Sequence, residues 1–153
     1  SCCILLAFEP HTGRRWLKVY KQRTAKEYTH FMQFLAKQFP DADTITLVQD
    51  NLNTHQPGSF YSQLDPQSAF QLAQRFTWVY TPKHASWLNR VELEFSALAR
   101  QCLNRRIPSQ ILLEKEALAW TKARNKANIK VSWHFSLEVA RTKLARHYKS
   151  VRT

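Results

Sequence analysis

The most strand-like run of the chain ends on an acid. Residues 44–50 read Thr-Ile-Thr-Leu-Val-Gln-Asp. This β-branched stretch fits a core strand. Asp50 closes it, with the polar Asn51-Leu52-Asn53-Thr54-His55 directly behind. A buried strand needs partner strands and covering helices, and the flanking sequence offers both. Residues 2–9 form a near-continuous apolar run without a helical stripe and read as a buried strand. A turn at 10–13 leads into the alternating residues 15–20, the second arm of a hairpin. Thr24 and Glu27 form a capping box, followed by Tyr28, Phe31, Met32, Leu35 and Phe39 at helical spacing, which predicts a helix over 25–38.

Beyond Asp50, Pro57 and the Asp65-Pro66 pair look like helix starts, giving short helices over 57–63 and 66–75. Residues 77–80 read as a strand and 82–86 as a loop. From Trp87 onward, Leu88, Val91, Phe95, Leu98 and Cys102 make one helical stripe. Pro108-Ser109 opens a helix to about Lys126. Residues 131–135 read as extended, and Ser136 caps a last basic helix toward Tyr148. A hairpin followed by alternating helices and strands predicts an α/β fold with a mixed sheet. The length, 153 residues, suits one domain, with 108–153 as its basic helical carboxyl-terminal extension.

Charge narrows the function. The formal net charge is +12 and the pI about 10.0, which points to a polyanionic partner, nucleic acid first. The bias is uneven: residues 100–153 carry thirteen Lys/Arg against three acids, whereas residues 38–74 carry four Asp and no Lys or Arg. Such a chain suits phosphate binding at its edge and cations in its middle. No apolar run is long enough to span a bilayer, and no signal peptide precedes the first apolar run. The three cysteines include no C-x-x-C pair and read as buried or half-buried thiols of a reducing cytoplasm. Two glycines cannot build a Walker loop or a dinucleotide fingerprint, and the six histidines lack zinc spacing.

In open α/β sheets, sites gather at the carboxyl ends of strands. Asp50 is therefore one candidate, although an aspartate capping a turn would look the same. A second candidate region, residues 82–95, follows a strand and opens a helix. Its acids Glu92 and Glu94 project about 200° apart around that helix. Only one can easily share a pocket with Asp50, and both flank the apolar stripe. Glu94 lies four residues after Arg90 and could pair with it. Periodicity leaves the choice open. Carboxylates converging from separate elements suit Mg or Mn, which take hard oxygen ligands and act on phosphodiesters.

Leu47-Val48-Gln49-Asp50-Asn51-Leu52-Asn53-Thr54-His55 and Tyr80-Thr81-Pro82-Lys83-His84-Ala85-Ser86-Trp87-Leu88-Asn89-Arg90-Val91-Glu92 resemble motifs of bacterial insertion-sequence transposases of the mariner superfamily (the IS-six-thirty type). Residues 7–10 and 100–108 are also similar to that family. The resemblance implies an RNase H-like fold, an Asp-Asp-Glu metal triad, and Mg- or Mn-dependent cleavage and strand transfer on DNA, typically at TA. It also implies a homo-oligomer and a cytoplasmic, DNA-associated setting. By motif, Asp50 falls on the second triad carboxylate and Glu92, rather than Glu94, on the third. Asn51, Asn53, His55, His84 and Asn89 would shape the site, with Ser86 and Trp87 beside them. Lys83, Arg90, Arg100, Arg105 and Arg106 would contact DNA, as would basic residues further on, Arg124 among them. Trp120 and Trp133 read as core.

One departure stands out. The family's first Asp lies on a strand before the segment that opens here, and no Asp precedes Asp41. Glu9 matches a different, non-catalytic family position. The resemblance thus implies the carboxyl-terminal part of a transposase, lacking the first, central strand of its sheet and inactive alone. The alternatives are a non-catalytic DNA-binding remnant and a different RNase H-fold nuclease. Residues 2–9 and 44–50 would then lack a strand between them, which predicts self-association, poor solubility or rescue by the absent segment.

Overall fold

The computed structural model describes residues 2–50, 56–81 and 91–129. Its elements run β1 (Cys3–Glu9), β2 (Arg14–Tyr20), α1 (Ala25–Gln38), β3 (Ile45–Asp50), α2 (Gly58–Gln63), α3 (Pro66–Gln74), β4 (Phe76–Thr81), α4 (Val91–Gln101) and α5 (Gln110–Lys126). The α/β class holds. The expected extended strand and helix over 131–148 lie outside the described residues.

The strands do not form one mixed sheet among the described residues. β1 pairs antiparallel with β2, from Cys3 opposite Tyr20 to Glu9 opposite Arg14. β3 pairs parallel with β4, from Ile45 opposite Phe76 to Asp50 opposite Thr81. No ladder joins the two pairs. The single sheet expected from the element order is thus two two-stranded sheets. The reason is local: β1 and β3 each spend one edge on the neighbouring strand and turn the other toward a shared cavity.

The hairpin turns at Gly13, whose φ of 75° lies in the left-handed region that glycine enters without a Cβ clash. Alternation then sorts β1 and β2 onto two faces. Cys3, Leu5, Ala7, Trp16 and Tyr20 join a core with α1, α2, α3, β3 and β4. Ile4, Leu6, Leu17 and Val19 join a second core with α4 and α5. Cover on both faces explains why residues 3–8 are apolar without a break. Even so, only Leu5 of β1 is fully buried. The expected buried strand is half-exposed because its second edge, unpaired among the described residues, opens on the cavity.

The helices carry the stop and start signals of their sequence. Thr24 N donates to Glu27 Oε2 at 2.9 Å, and the Thr24 hydroxyl also bonds that carboxylate. This bonding holds Glu27 below the usual carboxylate range. Asp65 Oδ2 accepts from Ser68 N at 3.1 Å with Pro66 first in α3. That bond from the Ser68 segment also holds Asp65 low. Pro57, by contrast, caps α2 rather than opening it. Ser109 Oγ accepts from Leu112 N at 3.1 Å and starts α5. α5 ends at the left-handed Asn128 (φ 52°), a conformation asparagine tolerates. α1 buries Tyr28, Phe31, Met32 and Leu35, as its spacing predicts. Cys2 is exposed rather than half-buried, because it precedes the first paired residue of β1. No helix among the described residues is long and apolar enough to cross a membrane.

Candidate functional site

A cavity of about 580 Å³ lies between the two sheets. Its lining reveals which part of each strand faces it. From β1 come Cys3, Ile4, Leu5, Leu6, Ala7 and Phe8, and from β3 come Thr46, Leu47, Val48 and Gln49. A strand that presents a face contributes alternate residues. Unbroken runs from both strands mean that two strand edges bound the cavity. One wall is α1, through Tyr28, Phe31, Met32 and Leu35; the opposite wall is α4, through Val91, Glu92 and Phe95.

Asp50 is the last residue of β3 and lies opposite Thr81 in the parallel ladder. Glu92 sits in the first turn of α4, half-buried, and lines the cavity that β3 bounds up to Gln49. An acid in a helix's first turn is favoured by the helix dipole. Tyr28 holds the neighbourhood of the β3 end in place. Its hydroxyl donates to Gln49 Oε1 at 2.9 Å and receives a bond from Trp78 Nε1 at 3.4 Å. Burial pushes the Tyr28 phenol up to about 12.

Glu94 has a different place altogether. It is fully buried, with Oε2 2.7 Å from Arg15 Nε and Oε1 2.8 Å from Arg124 Nη2. Arg15 is itself buried and also donates to the Ile129 carbonyl, while Phe8 lies under its guanidinium. Burial lowers its pKa, and the Glu94 charge opposes that shift. Asn125 ties β2 to α5 from both sides: its Oδ1 accepts from Arg15 N at 3.0 Å, and its Nδ2 donates to Arg15 O at 2.9 Å. The ion pairs of Glu94 therefore run to β2 and α5 rather than only along its own helix.

The same contacts correct the expectation for Arg124. It is buried against Glu94 and over the Trp120 ring, so it is not a surface phosphate contact. Trp120 packs on the second core and donates to Gln101 Oε1 at 2.9 Å, as a core role predicts. Arg100, Arg105 and Arg106 are exposed. Arg105 pairs with Glu116 at 3.0 Å across a polar cleft that Arg100 and Asn104 also line. Asn51, Asn53, His55, Lys83, His84, Ser86, Trp87, Asn89, Arg90 and Trp133 lie outside the described residues.

The Arg15–Glu94–Arg124 network is the feature that sequence reasoning missed. One signal was present: Arg15 shares the inward register of Leu17 and Val19, and a charge in that register requires a buried counter-charge. A second lay in α5, where Ala117, Thr121 and Arg124 share one buried face.

Among the described residues, no group of three or more His, Cys, Asp and Glu could hold a metal ion. Glu92, which lines the cavity, offers the hard carboxylate oxygens that Mg or Mn takes. A pair of ions needs further acidic ligands.

No curated protein and no solved structure matches the chain. Residues 1–114 match the family model described as DDE superfamily endonuclease, a span that takes in both sheets, α1 to α4 and the start of α5, and the chain belongs to that family.

Proposed function

We propose that this chain is the catalytic-domain portion of a mariner-superfamily transposase with an RNase H-like fold, and that Asp50 and Glu92 are two of its metal-holding carboxylates. Family membership supports a nuclease acting on DNA. The observation that carries the assignment of Glu92 is the division of labour in α4. Glu94 is committed to two buried arginines, whereas Glu92 lines the cavity bounded by β3. Mg or Mn held there would stabilise charge on the phosphodiester oxygens during strand cleavage and transfer. Arg100, Arg105 and Arg106 would position the DNA backbone without reading its sequence, together with Lys83 and Arg90. Asn51, Asn53, His55, His84 and Asn89 would shape the site. Transposon ends and TA targets are the proposed substrates, handled by a homo-oligomer.

Two carboxylates support one ion better than two, so the 153-residue chain is expected to bind DNA in a salt-sensitive manner without cleaving it. Mn²⁺ binding measured by electron paramagnetic resonance tests the pair directly. Binding lost in Asp50→Ala and in Glu92→Ala, and retained in Glu116→Gln, supports the assignment. Binding unchanged in both alanine variants would sink it and leave a DNA-binding remnant as the reading. Robust Mg-dependent nicking by the unmodified chain would overturn the expected inactivity.

A further inference from the structure

We propose that the open cleft between the end of α4 and the middle of α5 is a cradle for one DNA phosphodiester. Gln101 and Asn104 donate to it beside Arg100 and Arg105, and the Glu116 carboxylate holds the place of the phosphate until DNA arrives. The proposal rests on the reading of the chain as a DNA-binding protein and names the pocket that takes the backbone.

The orientation of the Gln101 amide carries the argument. Its Oε1 accepts from Trp120 Nε1 at 2.9 Å and from Arg124 Nη1 at 3.3 Å. Indole and guanidinium groups only donate, so the atom that meets them is the oxygen, and the NH₂ group lies on the other side of the amide. Among the described residues, that NH₂ group has no acceptor. Gln101 lines the cleft, which leaves the NH₂ donor for an occupant. Arg124 is itself held by Glu94 at 2.8 Å and lies over the Trp120 ring. The donor is therefore braced from its buried side, and a braced side chain loses little freedom when it binds.

The rest of the cleft, about 410 Å³, has the same polarity. Arg100 uses only Nε, toward the Ser96 carbonyl of its own helix, and the Asn104 side chain has no partner among the described residues. Glu116 is the only acid among the described lining residues, and its Oε2 stands 3.0 Å from Arg105 Nη2. A carboxylate and a phosphodiester present the same pair of acceptor oxygens to a guanidinium fork. The two side chains are 55% and 35% exposed, and an ion pair so open to water is weak. It yields to an acceptor that Gln101, Asn104 and Arg100 also bind.

The test measures binding of the 153-residue chain to a short random-sequence DNA duplex by fluorescence anisotropy, over a range of salt. Gln101→Glu keeps an oxygen for Trp120 and Arg124 and replaces the NH₂ donor with a second acceptor. It should weaken binding at least about tenfold, with a melting temperature unchanged or higher because the new charge meets Arg124. Gln67→Glu, exposed on α3 and outside the cleft, adds the same charge and should weaken binding by less than about threefold. Glu116→Gln frees Arg105; it should tighten binding about two- to fivefold and steepen the salt dependence by about one phosphate contact. Glu114→Gln, the same charge change outside the cleft, should do neither. If Gln101→Glu weakened binding no more than Gln67→Glu, Gln101 would be only a brace between α4 and α5. The cradle would then be overturned while DNA binding stood. Equal effects of Glu116→Gln and Glu114→Gln would overturn the place-holding role of Glu116. A chain that binds no duplex would overturn the DNA reading instead, and inorganic phosphate then tests the cleft by itself. A shift of the Gln101 side-chain amide signals in NMR spectra on adding phosphate, larger in Glu116→Gln, would keep the cradle and reassign its source to free phosphate. No shift would overturn the cradle as well.

Discussion

The two faces of the β1–β2 hairpin are covered by chemically unlike partners. Toward α1 the contact is apolar: Leu5 and Trp16 meet Phe31, Met32 and Leu35, with Phe60 and Ala69 behind them. Toward α4 and α5 an apolar patch of Leu17, Val19, Leu98 and Ala117 surrounds a buried carboxylate and two guanidinium groups. The apolar face gains stability roughly in proportion to area and tolerates small shifts. The ionic face constrains direction. Glu94 meets Arg15 from β2 and Arg124 from α5, so α4 can pack in one rotation only. That rotation turns Glu92, about 200° away, to the cavity. An interaction that is weak evidence for stability here fixes the aim of a neighbouring side chain.

The ionic face should be the more costly to break. Glu94→Ala strands two buried cations and is expected to lower stability by about 3–5 kcal/mol, measured by urea unfolding. Replacing all three partners, as Arg15→Met, Glu94→Leu and Arg124→Leu together, should be neutral or stabilising by about 1–4 kcal/mol. If the single and triple variants fell equally far, the two faces would differ only in volume. On the apolar face, Met32→Ala should cost about 2–5 kcal/mol through transfer and cavity terms.

These differences mark how much the sequence reveals. Period and punctuation delivered the elements: the Thr24–Glu27 box, the Asp65-Pro66 start and the stripe of α1 all report local forces, and local forces are written in neighbouring residues. The parallel pairing of β3 with β4 also follows from alternating elements. The split of the sheet does not follow from periodicity, which describes the faces of a strand and says nothing about its edges. Nor did periodicity separate Glu92 from Glu94. The partners that decide between them, Arg15 and Arg124, lie 79 and 30 positions from Glu94 in the chain. Arg124 shows the converse error, since a basic residue in a basic segment looked solvated until α5 was seen to turn it inward.

A smaller effect tests the seam between the α1 face and the β3 end. Tyr28→Phe removes the bonds with Gln49 and Trp78 and should cost about 1 kcal/mol at neutral pH. Its pH signature is more specific. The folded phenol titrates at about 12, against about 10 when unfolded. The unfolded chain therefore releases this proton first, and the contribution of Tyr28 is full below pH 10 and lost as pH rises toward 12. Tyr20 is also pushed up to about 12 by burial. Tyr28→Phe should thus reduce, and not abolish, the alkaline loss of stability seen by circular dichroism. An unchanged alkaline slope would mean that Tyr28 is not the buried phenol that the structure depicts.

The smallest stability effect is expected where the largest functional one is proposed. Glu92 is half-buried and stands outside the Glu94 network. Glu92→Gln keeps the side chain's shape and should cost less stability than Glu94→Gln, while weakening Mn²⁺ binding by tenfold or more. Glu94→Gln should show the reverse order of effects. It weakens both guanidinium contacts and destabilises the fold, and it alters Mn²⁺ affinity only as far as α4 loosens. Measured together, unfolding in urea and Mn²⁺ titration separate a residue that holds an ion from one that holds a helix. If Glu92→Gln proved as destabilising as Glu94→Gln and left Mn²⁺ affinity unchanged, Glu92 too would be a structural group, and the division of labour along α4 would be lost.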